Sequence, residues 1–128
     1  QPIDRMYHYI EDRNEGPVLA IRFADHVTEE DFAALSDDMD ERIAEHGSVR
    51  LYVEFDGIPR PKLEALDDDV KLWRRYSDDI YRYAIVGESS LLKWATDVAD
   101  RLTEVEVQFF DREARDEAWN WISEGIPA

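Results

Sequence analysis

Between Tyr81 and Gly87 the chain reads Tyr-Arg-Tyr-Ala-Ile-Val-Gly, a run that becomes continuously apolar towards its end. Alternate side chains of a strand point to opposite faces, so such a run needs cover on both sides. That is how an interior strand of a parallel sheet reads. Parallel strands cannot be joined by tight turns and need crossover segments, usually helices. The flanking sequence must therefore supply helices, and it does.

Met6 to Glu11 reads as a strand with Met6, His8 and Ile10 on one face. Asn14-Glu15-Gly16-Pro17 is turn chemistry, and Val18–Phe23 is a second strand, so the short connection predicts an antiparallel hairpin. Thr28 stands as N-cap to a helix whose first turn carries Glu29, Glu30 and Asp31, and whose apolar stripe is Phe32, Leu35, Met39 and Ile43. His46 in the last turn and Gly47 beyond it mark the stop. Val49, Leu51, Val53 and Phe55 alternate along a third strand, which the prolines of Asp56-Gly-Ile-Pro-Arg-Pro61 end. Leu63, Leu66, Val70, Trp73 and Ser77 trace a second helix, with an Asp67–Lys71 pair on its wet side. After the 81–87 strand, Leu91, Trp94, Ala95, Val98 and Leu102 mark a third helix. Val105–Phe110 is a fifth strand, and Asp111 caps a fourth helix carrying Ala114, Ala118, Trp121 and Ile122, ended by Gly125-Ile126-Pro127.

The expected fold is thus α/β, in the order ββαβαβαβα. It is a five-stranded, mostly parallel mixed sheet with four packed helices, joined by right-handed crossovers. Residues 1–128 read as one domain, with no linker, repeat or low-complexity stretch, and 128 residues suffice for a core without staples.

Charge narrows the functions. Thirty-one acidic residues face fifteen basic ones, a formal −16, and only Lys62, Lys71 and Lys93 are lysines. Such a surface repels phosphate backbones and anionic lipid, so no nucleic-acid partner is expected. Excess carboxylate with scarce lysine suits a halophile's cytoplasm, where a Debye length of roughly 3 Å at about 1 M salt screens self-repulsion. Cysteine is absent, which excludes disulfides, thiolate metal sites and a cysteine nucleophile, and fits a reducing, cytoplasmic compartment. No apolar run approaches the roughly 20 residues that span a bilayer, and Gln1-Pro2-Ile3-Asp4-Arg5 has no signal-peptide layout.

Several local patterns, in one order, resemble the SpoIIAA-like family, the STAS/SEC14-like group. They are His26-Val-Thr-Glu-Glu-Asp-Phe32, Arg50-Leu-Tyr-Val-Glu-Phe55, Arg82-Tyr-Ala-Ile-Val-Gly87, Trp94-Ala95, Val105-Glu-Val-Gln-Phe-Phe-Asp111 and Glu117-Ala-Trp-Asn-Trp-Ile122. The likeness runs from about Tyr7 to Ile122, and with the acidity it points to a halophilic member. It implies a small α/β sandwich and brings two functional leads. Anti-sigma-factor antagonists of this fold carry a phosphorylatable serine after the third strand, but Asp56 to Tyr76 contains neither Ser nor Thr, so that switch does not carry over. The SEC14 comparison implies an apolar ligand between helices and sheet, and leaves peripheral membrane contact open.

Candidate sites are few. His8, His26 and His46 share no ligand spacing, and Asp67-Asp68-Asp69 point about 100° apart on a helix, so no metal site is expected. Gly87-Glu88-Ser89-Ser90 lies where a strand hands over to a helix, but one glycine makes no phosphate cradle and the serines read as N-caps. Trp73, Tyr76, Tyr81 and Tyr83 read first as core. The alternative is a cleft in which Phe55, Ile58, Leu66, Trp73 and Tyr76 hold an apolar or amphipathic ligand between the second helix and the sheet, with Arg74 and Arg75 for an acidic head group. The expectation is a non-enzymatic binding module of that kind, without catalytic residues or cofactor. One alternative is a protein-interaction module lacking the serine switch; another is an enzyme, which would need groups such as Glu54, Asp56 or Ser89 buried together; a dimer is left open.

Overall fold

The structure, a computed structural model, describes residues 7–10, 16–23, 29–55, 78–89, 92–101 and 105–125. Its strands are β1 (Tyr7–Tyr9), β2 (Val18–Phe23), β3 (Val49–Phe55), β4 (Ile80–Gly87) and β5 (Glu106–Asp111). Its helices are α1 (Glu29–His46), α2 (Leu92–Arg101) and α3 (Arg115–Ile122). The sheet order is β1-β2-β3-β4-β5. Strands β2 to β5 run parallel, and the three-residue β1 lies antiparallel along β2. The expected hairpin and parallel body are both present, although β1 is shorter than Met6–Glu11. Four helices were expected. The described residues contain three, and the expected second helix, traced by residues 63–77, lies outside them.

Each crossover moves one strand along the sheet in the same direction. Right-handed connections then deliver α1 and α2 to the same face. The packing agrees: Leu35 and Met39 of α1 and Ala95 of α2 share one core with Leu19, Ile21, Leu51, Val53, Tyr83 and Ile85. Helix α3 lies on the opposite face. There Ala118 and Ile122 pack with Val18, Ala20, Tyr52, Ala84, Val86 and Phe110. Strands β3 and β4 are therefore buried on both faces, which is why their sequences are so apolar.

Local signals are realised in detail. Gly47 adopts φ 82, where a side chain would be strained, and its N–H bonds Ile43 O at 2.8 Å to close α1. The expected cap Thr28 lies outside the described residues. Asp78 and Asp79 form a turn, and Asp79 O accepts from Val49 N at 2.9 Å.

Two expectations need correction. Asp111 does not cap an α-helix. Its carboxylate accepts from Glu113 N at 2.9 Å and caps a 3-10 turn, Arg112–Ala114, so α3 begins only at Arg115. A side chain satisfying an N–H two residues on favours such a tight turn. Second, Tyr81 is not core. The register shifts from Val49↔Ile80 to Arg50↔Arg82, which leaves Tyr81 unopposed and exposed, whereas Tyr83 is buried as expected.

Candidate functional site

The carboxyl ends of parallel strands are where α/β sheets gather ligands, and here they gather charge. Residue 54 continues the second-face series Arg50, Tyr52, Glu54 along β3, and β2 sets Arg22 beside it in register. Glu54 is only 5% exposed and is the sole buried charged residue among those described. Burying a carboxylate is costly unless it is paired and hydrogen-bonded. Glu54 has both kinds of partner. Tyr52 donates its hydroxyl to Oε2 at 3.1 Å, Arg115 Nη2 sits 3.1 Å from Oε1, and Arg22 Nη2 sits 3.7 Å from the same oxygen. Arg115 is the first residue of α3, so this carboxylate pins the start of the helix that covers the second face.

Arg112 extends the cluster. Its Nη2 donates to Phe55 O at 3.2 Å and lies 3.9 Å from Glu88 Oε1, linking the ends of β3 and β4 to the approach of α3. Three arginines on β2, the 3-10 turn and α3 thus surround the end of β3. Their charge is matched locally by Glu54 and Glu88, with Asp111, Glu113 and Asp116 close in sequence. Among the described residues no three His, Asp or Glu side chains converge as a metal would require.

The other end of α3 is held as firmly. Arg50 donates to Ile122 O at 3.0 Å and to Glu124 O at 2.6 Å. Arg82 donates to Trp121 O at 2.7 Å, Glu124 Oε1 at 2.9 Å and Glu106 Oε2 at 3.0 Å. These bonds satisfy carbonyls that a helix C-terminus leaves without intrahelical partners. The guanidinium of Arg82 is held further above its ordinary value by the Glu124 hydrogen bond, and that of Arg50 is lowered by desolvation, so the two share a site at different cost. Arg50 also stacks on Tyr81 at 4.5 Å, and Arg82 on Trp121 at 4.8 Å.

Of the six residues expected to line an apolar cleft, Phe55 is described. It is 3% exposed and packed in the first core with Val53 and Ile85. Ile58, Leu66, Trp73, Arg74 and Tyr76 lie outside the described residues, as does Arg75. Sequence reasoning named Glu54 only as a group that would signal an enzyme if buried together with Asp56 or Ser89; Glu54 is buried, Ser89 is exposed and Asp56 lies outside the described residues, while the arginine partners of Glu54 were missed.

The border of the sheet differs from its interior. Strand β5 pairs with β4, and among the described residues no strand pairs with its other side. Glu106 and Gln108 are exposed, Val107 and Phe109 half-buried. Both half-buried residues rest on the first core.

The family model described as SpoIIAA-like matches residues 18–123, nearly all of this sheet and its helices. The chain belongs to the SpoIIAA-like family. A solved structure of an uncharacterised protein from Shewanella loihica PV-4 with a SpoIIAA-like fold is similar to it, at 30% identity and a TM-score of 0.62. The likeness covers 82% of this chain and 83% of that one. None of the curated proteins matches. In this SpoIIAA-like domain no described helix is long and apolar enough to cross a membrane.

Proposed function

We propose that this SpoIIAA-like domain is a non-catalytic protein-interaction module that works through the border strand β5. The observation that carries the reading is the side of β5 that no described strand pairs, where alternate residues of Glu106–Asp111 present backbone donors and acceptors beside half-buried Val107 and Phe109. The saturation of Glu54 supports the absence of catalysis, since the one carboxylate buried among the described residues is committed to Tyr52, Arg22 and Arg115. The anti-sigma-factor antagonists that the sequence resembles act on proteins, which adds support. The acidity and the scarcity of lysine support a further reading, that the domain serves in a salty cytoplasm.

A photo-crosslinking residue at Gln108 tests the interaction. In lysate of the source cells it should form protein adducts, whereas the same residue at exposed Ala33 on α1 should not. An equal yield at both positions would remove the border strand from the function.

A second reading keeps the apolar or amphipathic ligand in a cleft near Phe55. It is favoured by Arg112, whose guanidinium stands at Phe55 O where an acidic head group could be met. Native mass spectrometry of protein purified in molar salt distinguishes the two: a bound small molecule supports the ligand, and a bare chain goes against it.

A further inference from the structure

Open border strands are hazards that proteins usually blunt with lysine, proline, a bulge or extreme shortness. Strand β5 has none of these, and its charged side chains, Glu106 and Asp111, stand only at its two ends. It is six residues long, contains neither Lys nor Pro, and pairs with β4 without a register shift. Its side chains alternate cleanly. Val107 and Phe109 lie on the face of the first core, and Phe110 lies on the α3 face. Glu106 shares the α3 face, as its bond to Arg82 shows, and Gln108 follows by alternation.

Consider this edge meeting itself across a two-fold axis perpendicular to the sheet. Residues placed opposite must lie on the same face, so the axis passes through a residue. Centred on Gln108, the pairing sets Gln108 against Gln108, Val107 against Phe109 twice, and Glu106 against Phe110 twice. Each half-exposed apolar side chain gains an apolar neighbour, and no carboxylate opposes another. Centred on Phe109, it would instead set Val107 against Asp111. Within the bounds of β5 the register centred on Gln108 makes two apolar pairs, where those centred on Val107 or Phe109 make one, although it sets Asp111 against Val105 beyond the strand's start. What opposes the union is long-range: each copy carries −16. That repulsion acts over a Debye length of about 10 Å in 0.1 M salt and is cut to about 3 Å at 1 M.

We propose that two copies of this chain pair antiparallel through β5, Gln108 facing Gln108, and continue the sheet from one molecule into the next when salt screens their charge. The partner chosen rests on the interaction reading above; its chemistry is that of a second copy.

The chain has no cysteine, so single introduced thiols report cleanly. Directly opposed antiparallel residues have Cα atoms about 4.5–5.5 Å apart, within disulfide reach. In about 2 M KCl under mild oxidation, Gln108→Cys should give a disulfide-linked product of twice the 15.0 kDa monomer mass. Its yield should exceed that of Ala33→Cys by about tenfold and fall by a similar factor in 0.1 M KCl. A mixture of Val107→Cys with Phe109→Cys should crosslink likewise, and the unmodified protein should double its sedimentation mass between the two salts. An unmodified protein that stays monomeric in molar salt, with Gln108→Cys no better than Ala33→Cys, overturns self-pairing. Adducts from residue 108 to a different chain would then keep the interaction reading while this one fails; no adducts at all would defeat both.

Discussion

Glu54→Ala should lower the unfolding free energy by about 3 kcal/mol, the largest loss expected from removing one charged side chain of this domain. The change takes an acceptor from the Tyr52 hydroxyl, parts Arg115 from the strand it clamps, and opens space on the second face. The guanidiniums of Arg22 and Arg115 are nearly half exposed, so water screens much of their attraction; the buried hydroxyl and the lost anchorage of α3 carry most of the effect. Glu54→Gln keeps the shape and one acceptor oxygen, and should cost about half as much. Urea titration of the three proteins, followed by the fluorescence of the four tryptophans, Trp119 and Trp121 of α3 among them, reads the difference. A loss below about 0.5 kcal/mol for Glu54→Ala would mean that the cluster is a surface ion pair and nothing more.

Raising KCl from about 0.1 to 2 M should lift the melting temperature by more than about 10 °C. The domain folds against its own −16, and exposed acidic side chains crowd α1, where Asp37, Asp40, Glu41 and Glu45 occupy one helix. Screening removes that penalty while leaving the two cores intact, so stability climbs with ionic strength. Sucrose at matched osmolality, which is excluded from the surface but screens nothing, should give a much smaller rise. A melting temperature that stays level or falls across the KCl series would contradict adaptation to salt.

Legibility in the sequence followed the range of the interactions. Gly47 declares the end of α1 because its φ and its bond to Ile43 are local matters. The apolar runs of β3 and β4 declare an interior parallel strand because burial on both faces leaves no polar alternation to hide it. Glu54 did not declare its burial or its partners. Its burial comes from Arg115 and from the helix that Arg115 begins, about sixty positions later, and nothing within a window around Glu54 contains that information. Arg50 and Arg82 show the same limit, since they hold carbonyls of residues 122 and 121. Tyr81 was misplaced because a bulge adds a residue to one strand without leaving a mark in composition. The aromatic cleft was drawn from residue types clustered in sequence. Phe55, the member the structure describes, is committed to the first core.

The account turns on a sheet whose interior is closed and whose β5 border, paired on its outer side by no described strand, is proposed to be covered by a second copy once salt screens the charge. Residue-resolved hydrogen exchange compares the two regions within one molecule. Amides of β3 and β4 should exchange slowly in dilute buffer and in molar KCl alike. The amides of β5 that point away from β4 should exchange freely in dilute buffer and slow at least about tenfold in molar KCl, more so at higher protein concentration. Amides 106–111 that are already as slow as those of β3 in dilute buffer, or that ignore both salt and concentration, would contradict it.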